Sequence, residues 1–158
     1  MAITRLGGAN AITGTIPNSV LAAGNVIQVT DQIVISTQQT LTTNTFTDIT
    51  GATLNITPTS TSSKILLIAS FCIEHEIASS GFGVKILRDS TNIFESTNGY
   101  HILSETAGNR TQSTFMFEDS PASLSQKTYK FQATSWASRE IRFQNGGQST
   151  YQAMEIQG

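Results

Sequence analysis

The segment Glu74-His75-Glu76 holds the residue types that acid–base and metal chemistry use. Successive side chains of a strand point to opposite faces, so both carboxylates would share one face and His75 the other. A metal or acid–base site needs side chains that converge on one point, and this alternation separates them. His101, the other histidine, is not joined to His75 by an HExxH or HxH pattern. The sequence therefore predicts a solvated strand end here, with no catalytic zinc and no cofactor.

Nucleophilic catalysis has equally little support. The chain contains no G-x-S-x-G turn to present a reactive serine. Cys72, the single cysteine, lies between Phe71 and Ile73 in an apolar run, which predicts a small core residue. The carboxylates that a calcium loop or a glycosidase pair would need are dispersed along the chain, at Asp48, Asp89, Glu118 and Asp119. We therefore expect a protein that is not an enzyme.

Binding residues are easier to find than catalytic ones. Trp136, Tyr100 and Arg110 each combine a flat apolar surface with a polar tip, which suits stacking on a sugar ring or anchoring an interface. Together with His101 they form the predicted receptor or glycan contact. The alternative for each of them is ordinary packing at the end of a strand.

The composition is that of a weakly charged chain. Of its 158 residues only 13% are charged, and the formal net charge is -2. The nine basic residues are scattered, so we expect no nucleic-acid partner, which would need clustered Lys and Arg. The longest apolar run, residues 65–69, is far shorter than the ~20 residues of a membrane span, so we expect no membrane insertion.

From Asn25 onward, runs of β-branched and aromatic residues are separated by turn residues, which is typical of an all-β domain. About eight strands are predicted, some of them merged, from the segments 26–36, 44–49, 52–57, 64–74, 83–88, 92–104, 111–118, 127–136, 139–144 and 149–157. Alternation assigns to the core Phe115 and Phe117, Tyr129 with Phe131 and Ala133, Ile141 and Phe143, and Met154 with Ile156. The predicted fold is an antiparallel jelly-roll-like β-sandwich.

Local chemistry adds three expectations about this sandwich. Residues 88–92 predict a hairpin turn, and Asn145-Gly146-Gly147 predicts a second, tight hairpin. The polar loop 58–63 precedes the most apolar run of the chain, which predicts a central strand buried on both faces.

The first 24 residues differ from the rest. They are rich in Gly, Ala and Thr, and their spacing of apolar residues suits neither a helix nor a strand. We predict an N-terminal attachment arm over residues 1–24 and a head domain over residues 25–158. A disordered tail is the alternative. The predicted attachment residues are Ile3, Leu6, Ile12, Ile16 and Val20.

Several short motifs occur together in the chain, each of them once. They are residues 45–51 leading through 54–66, residues 87–93, residues 119–122 leading to 128–130, and residues 154–156. In this order and spacing, over residues 26–158, the chain resembles small virion proteins of tailed bacteriophages, especially those of cyanobacteria and marine bacteria.

The resemblance implies a homotrimeric jelly-roll head at the tip of a tail fibre. Its arm would join other virion proteins of the tail or baseplate, and its outer loops would touch host cell-surface polysaccharide. The subunit would be assembled in the host cytoplasm and end in the phage tail. This chain has a short stem and no repetitive shaft, so a neck appendage or a capsid decoration protein fits the resemblance as well.

Overall fold

The computed structural model describes residue 17 and residues 21–97, 99–103 and 107–158. The predicted attachment residues Ile3, Leu6, Ile12, Ile16 and Val20 lie outside this part of the chain. The backbone N–H of Gly24 donates to the carbonyl of Gln157 over 2.7 Å, so the head holds the chain from Gly24 onward. The division at residue 24 stays a prediction.

The described chain forms strands joined by turns and one short 3-10 helix, Trp136–Ser138. The strands are β1 Val26–Val29, β2 Ile33–Ile35, β3 Gln39–Leu41, β4 Thr47–Ile56, β5 Lys64–His75, β6 Ser80–Arg88, β7 Thr91–Glu95, β8 His101–Leu103, β9 Asn109–Asp119, β10 Lys127–Ser135, β11 Ile141–Phe143 and β12 Ser149–Ile156. No helix within the described residues is long and apolar enough to cross a membrane.

Two antiparallel sheets build the domain, and the predicted all-β sandwich is confirmed. The seven-stranded sheet has the order β1-β12-β5-β11-β3, with β2 also on β12 and β9 on β5. The five-stranded sheet has the order β4-β10-β6-β7, with β8 also on β6. Strands β5 and β10 are therefore the hydrogen-bonded centres on which the other elements are arranged.

The core lies between the sheets and is built by alternation. Tyr129, Phe131 and Ala133 of β10 are fully buried, as predicted, and so are the predicted residues of β11. The Phe131 ring lies 5.3 Å from that of Phe71 and 5.0 Å from that of Tyr151. Aromatic pairs at such distances add to the free energy gained from burying their area.

The prediction for β12 assigned the wrong face of the strand to the core. Met154 and Ile156 point outward and are half-buried, whereas Glu155 is buried on the inner side. Burial would raise the pKa of the Glu155 carboxyl, but hydrogen bonds from groups that include Gln28 and Thr59 outweigh this effect and lower it. These bonds explain how a carboxylate is kept where the sequence pattern predicts an apolar side chain.

Strand β5 is central, as predicted, but it is buried on both faces only over residues 71–75. Leu66 and Ile68, on its outer face, are half-buried. The predicted segments 44–49 and 52–57 are one strand, β4, which bends at Gly51, where φ is 85°.

The hairpin predicted at residues 88–92 joins β6 to β7, with Asp89 at a φ of 55°. The second predicted hairpin, at Asn145-Gly146-Gly147, was wrong. Strands β11 and β12 do not pair with each other; both pair with β5, one at residues 73–75 and the other at residues 64–70. The two glycines therefore belong to a loop that separates the pairing of β11 with β5 from the pairing of β12 with β5. The part of β5 between these two pairings is too short for residues 144–148 to pair with it, so they leave the sheet.

Cys72 lies beneath this loop. It is buried, but on the outer face of β5 and not in the core as the sequence predicted. The amide of Gln144 donates to the Cys72 carbonyl over 2.8 Å, and the Cys72 amide donates to the Ser149 hydroxyl over 2.9 Å. These two bonds fix both ends of the loop to β5.

Replacing Gly147 by alanine is expected to lower the free energy of unfolding by about 1–3 kcal/mol, the usual cost of overpacking. A Cβ at this position would lie 2.6 Å from the Cys72 sulfur. Urea denaturation of Gly147→Ala, Cys72→Ala and the double variant measures the effect. In the double variant the clash is absent, so its loss should be smaller than the sum of the single losses; a strictly additive result would contradict this explanation.

Candidate functional site

Gly99 lies against the ring of the predicted contact residue Trp136 and directly precedes Tyr100, another predicted contact residue. A Cβ on Gly99 would lie 3.1 Å from Cδ1 of Trp136, so a larger residue here would push against the indole ring. Tyr100, the next residue, is 61% exposed, and its ring lies 6.5 Å from that of Phe115. The structure thus places Trp136 against Gly99 and the Tyr100 ring beside Phe115. His101 begins β8 beside them, opposite Phe82, and its side chain is outside the described part of the structure.

Arg110 belongs to a different cluster, on the outer face of the seven-stranded sheet. Its Nε donates to the Glu74 carboxylate over 3.1 Å. Arg142 lies 3.7 Å from the same carboxylate and bonds Glu76 and Glu140 at 2.7 Å each. The hydrogen bond to Glu140 raises the pKa of Arg142. These residues form an ion-pair cluster in which two arginines offset most of the charge of three glutamates.

This cluster corrects the prediction of a solvated strand end at residues 74–76. Glu74 is only 4% exposed, and it also accepts a hydrogen bond from the Asn145 amide. His75 is fully buried on the inner face, with Nδ1 3.0 Å from the Ser80 hydroxyl. The expected separation of His75 from the carboxylates is confirmed. No group of three His, Cys, Asp or Glu side chains in the described part of the chain is placed to hold a metal ion.

A row of polar side chains crosses the outer face of the five-stranded sheet. Gln132 of β10 is opposite Asp48 of β4 on one side and Lys85 of β6 on the other, and Lys85 is opposite Glu95 of β7. We call Asp48, Gln132, Lys85 and Glu95 the polar row. Its members come from four strands and lie level with one another because of the sheet register.

Hydrogen bonds and ion pairs hold the polar row in place. The Gln132 amide donates to Asp48 over 2.7 Å, and Lys85 lies 3.0 Å from the Glu95 carboxylate. Lys130 also donates to Asp48 over 2.7 Å, and this bond lowers the pKa of the Asp48 carboxyl. The row therefore presents carboxylates, an amide and an ammonium group in a fixed order.

Three members of the row, Gln132, Lys85 and Glu95, line an open cleft of about 560 Å³. The Lys85 ammonium group lies 4.3 Å from the centre of the Phe46 ring, which adds a cation–π contact and an aromatic wall. The lining residues are Asn44, Thr45, Phe46, Lys85, Glu95, Ser96, Thr97 and Gln132. An aromatic side chain beside several hydrogen-bonding groups is the combination that a polyhydroxylated ligand requires.

The sequence alone did not reveal this cleft. Gln132 and Lys85 are ordinary polar residues on the outward positions of strands whose inward positions are apolar. The only available signal was that both alternate with core residues, and most solvent-facing residues do the same. The site forms because the pairing register places residues of strands that are far apart in the chain next to one another.

Comparisons with known proteins bear on the fold. No protein-family model and no curated protein matches the chain. Among solved structures, infectious bursal disease virus of the Gx strain matches with a TM-score of 0.55 at 13% identity, over 93% of this chain and 37% of the viral chain. The VP2 subviral particle of the same virus matches with a TM-score of 0.53 at 14% identity, over 83% and 33%. T=1 particles derived from this virus match with a TM-score of 0.53 at 12% identity, over 93% and 36%.

The chain thus spans about a third of the length of these viral proteins. At such identities the likeness concerns the fold, and it extends over nearly the whole described head. The fold of this protein is therefore similar to part of the chain in those viral structures.

Proposed function

We propose that this protein is a non-catalytic structural subunit of a bacteriophage virion. The observation that carries the proposal is that 93% of the chain matches a fold found in a virus particle. The motifs shared with small virion proteins of tailed phages support the same role. The subunit works by folding, assembling and presenting a surface, and residues 1–24 join it to other virion proteins.

Within the virion, we assign the protein to a tail fibre whose head binds host cell-surface polysaccharide. The binding surface is the cleft over the polar row, since it offers an aromatic ring, hydroxyls, amides and charged groups within one concavity. Sugars are recognised by contact with aromatic rings and by hydrogen bonds to their hydroxyl groups. Of the other predicted contact residues, Tyr100 is exposed, Trp136 is half-buried, and Arg110 is already engaged with Glu74.

Homotrimer formation is part of the proposal. Val29, Met154 and Leu66 lie level with one another on the outer face of the seven-stranded sheet. Val29 is 49% exposed and the other two are half-buried, so water contacts this apolar patch in the isolated chain. Packing the patch against the neighbouring subunits would remove apolar area from water, which is the main favourable term in association.

The host-binding role is tested with Lys85→Ala/Gln132→Ala. Both changes remove hydrogen-bonding groups from the cleft, and we expect at least about tenfold weaker binding to immobilised host polysaccharide, the equivalent of losing one or two polar contacts. The matched control is Gln126→Ala/Lys127→Ala, which changes the same residue types at the start of β10, away from the residues that line the cleft, and should bind normally. Equal binding by both double variants, with unchanged circular dichroism, would exclude the cleft.

A capsid decoration or neck appendage role is the second candidate. The matched viral structures favour it, since they are described as whole or derived particles. Gold-labelled antibody against the head separates the two by electron microscopy. Label on the tail supports the fibre, whereas label on the capsid faces or at the neck supports the second candidate.

A further inference from the structure

We propose that β9 pairs edge to edge with β9 of a second copy of this chain, antiparallel and in full overlap. This contact goes beyond the proposed host binding and does not depend on it. Strand β9 is 11 residues long, and within the described residues it has a partner strand on one side only, β5. Its other side is an edge where backbone N–H and C=O groups are available to a further strand.

The edge of β9 lacks the features that normally prevent such pairing. Strand edges are usually protected by proline, by lysine or by a bulge that twists the strand. Residues 109–119 contain neither proline nor lysine. Their register with β5 is unbroken from Asn109 opposite His75 to Asp119 opposite Ile65. A regular strand of this length can accept a second strand along its whole edge.

Strand β4 shows the contrast. It is the long edge strand of the five-stranded sheet. Its register with β10 shifts between Lys130 and Gln132, and Gly51 interrupts it with a φ of 85°. A bulge of this kind bends and twists a strand and so prevents a continuous second ladder. Of these two long edges, only β9 is regular.

The charges on β9 favour a second copy of the same strand as its partner. When β9 is laid antiparallel on its own copy in full overlap, Thr114 faces Thr114 and Arg110 faces the second copy's Glu118. Symmetry makes this ion pair twice. Opposite charges directly across two strands stabilise the pairing, and a shift of the register by two residues would lose both pairs. The register with the most backbone pairing is therefore also the one that satisfies the charges.

Both charged groups are accessible for this contact. The Arg110 side chain is 54% exposed although it bonds Glu74, and the Glu118 side chain is 47% exposed although it bonds Lys64. In the paired state, Lys64 and Glu118 of one copy would continue into Arg110 and Glu74 of the other with alternating sign. Such a network is stabilised more than an isolated surface pair.

Met116 adds an apolar contribution. Its side chain is 66% exposed, and in the same register it faces the second copy's Gln112. A groove of about 270 Å³ runs beside residues 114–117 and is lined by Phe94 and Tyr100.

The symmetry of the contact limits its size. Because a strand that pairs with itself forms a closed twofold contact, the pairing stops at two copies. In the proposed assembly it would join two trimers.

The first test is a disulfide at the symmetry axis. In the paired state the two Thr114 Cα atoms would be about 4.5–5.5 Å apart, within the range that a disulfide can bridge. Thr114→Cys should therefore form a covalent dimer under mild oxidation, at least about tenfold faster than Thr53→Cys, an exposed threonine on the bulged strand β4. Wild-type protein controls for Cys72, which is buried. Equal rates for both variants would overturn the proposal.

The second test uses charge. Glu118→Arg sets Arg110 against an arginine of the second copy, and Arg110→Glu sets two glutamates together, so each variant alone should pair at least about tenfold more weakly than wild type by light scattering. Mixed together, the two variants restore both ion pairs and should associate again. A mixture that stays apart while both variants are folded would overturn the proposal. Light scattering also separates this contact from the proposed trimer. A mass of three copies, with no disulfide formed by Thr114→Cys, would support the trimer and overturn the β9 contact. A mass of two copies would support the β9 contact and exclude the trimer.

Discussion

Asp119→Ala is expected to lower the free energy of unfolding by about 3–5 kcal/mol, the cost of removing one partner from a buried ion pair. Asp119 is 8% exposed. Both of its oxygens accept from Nη1 of Arg88, at 2.8 and 2.9 Å, and one also accepts from the Tyr129 hydroxyl at 2.6 Å. Burial and this hydrogen bond raise the pKa of Tyr129, so its hydroxyl keeps its proton and donates. The variant would leave a half-buried guanidinium group and a buried hydroxyl without their acceptor.

Urea denaturation monitored by circular dichroism measures this loss. Asp89→Asn is the control, because it removes the charge that pairs with Lys127 over 3.2 Å at a largely exposed position, and such pairs contribute at most about 1 kcal/mol. Asparagine keeps an acceptor for the Thr128 amide and tolerates the positive φ of this turn position. The triple replacement Arg88→Met/Asp119→Leu/Tyr129→Phe should recover most of the stability, since it removes all three polar groups together. If Asp119→Ala cost no more than Asp89→Asn, the cluster would have no role in stability.

Phe131→Ala is expected to cost about 3–5 kcal/mol, the usual loss for a buried aromatic residue. Phe131 is fully buried at the centre of the five-stranded sheet and contacts Phe71 and Tyr151 from the opposite sheet. Its removal would leave a cavity between the sheets that these rings can fill only in part. With a total stability typically of 5–15 kcal/mol, the variant would be marginally folded.

Phe94→Ala is the control for this prediction. Phe94 is half-buried near the groove beside β9, with its ring 5.7 Å from that of Phe117. Its loss should cost clearly less, because water can enter the space it leaves. Thermal unfolding of both variants gives the comparison. Similar melting temperatures for the two would show that the inter-sheet core is not centred on Phe131.

Alternation identified the core wherever only one face of a strand is apolar. In β10, the residues between Tyr129, Phe131 and Ala133 are Lys130 and Gln132, so the pattern had a single interpretation. In β12 both faces carry apolar residues, and the pattern favoured Met154 and Ile156 over the correct inner positions. The buried Glu155 could not be predicted, since its hydrogen-bond donors come from β1 and from the loop after β4.

The glycine pair at residues 146–147 was also compatible with more than one structure. Asn145-Gly146-Gly147 has the residues of a tight hairpin, but the strands on either side pair with β5 and not with each other. Local sequence specifies which backbone conformations are allowed, and a glycine pair allows several. The choice between a hairpin and a loop was made by the free energy of pairing with a strand that lies about 75 residues away.

The sequence by itself determined that this chain folds as an all-β domain and where most of its strands lie, although it did not predict β3 and merged β1 and β2 into the segment 26–36. These properties depend on neighbours along the chain, through alternation and turn chemistry. The tertiary structure alone decided that Glu74 is buried, that Asp48, Gln132, Lys85 and Glu95 form one row, and that β9 is a regular strand with a partner strand on one side only within the described residues. Such features depend on which strands pair and in what register, and that is set by burial and hydrogen bonding over the whole sandwich.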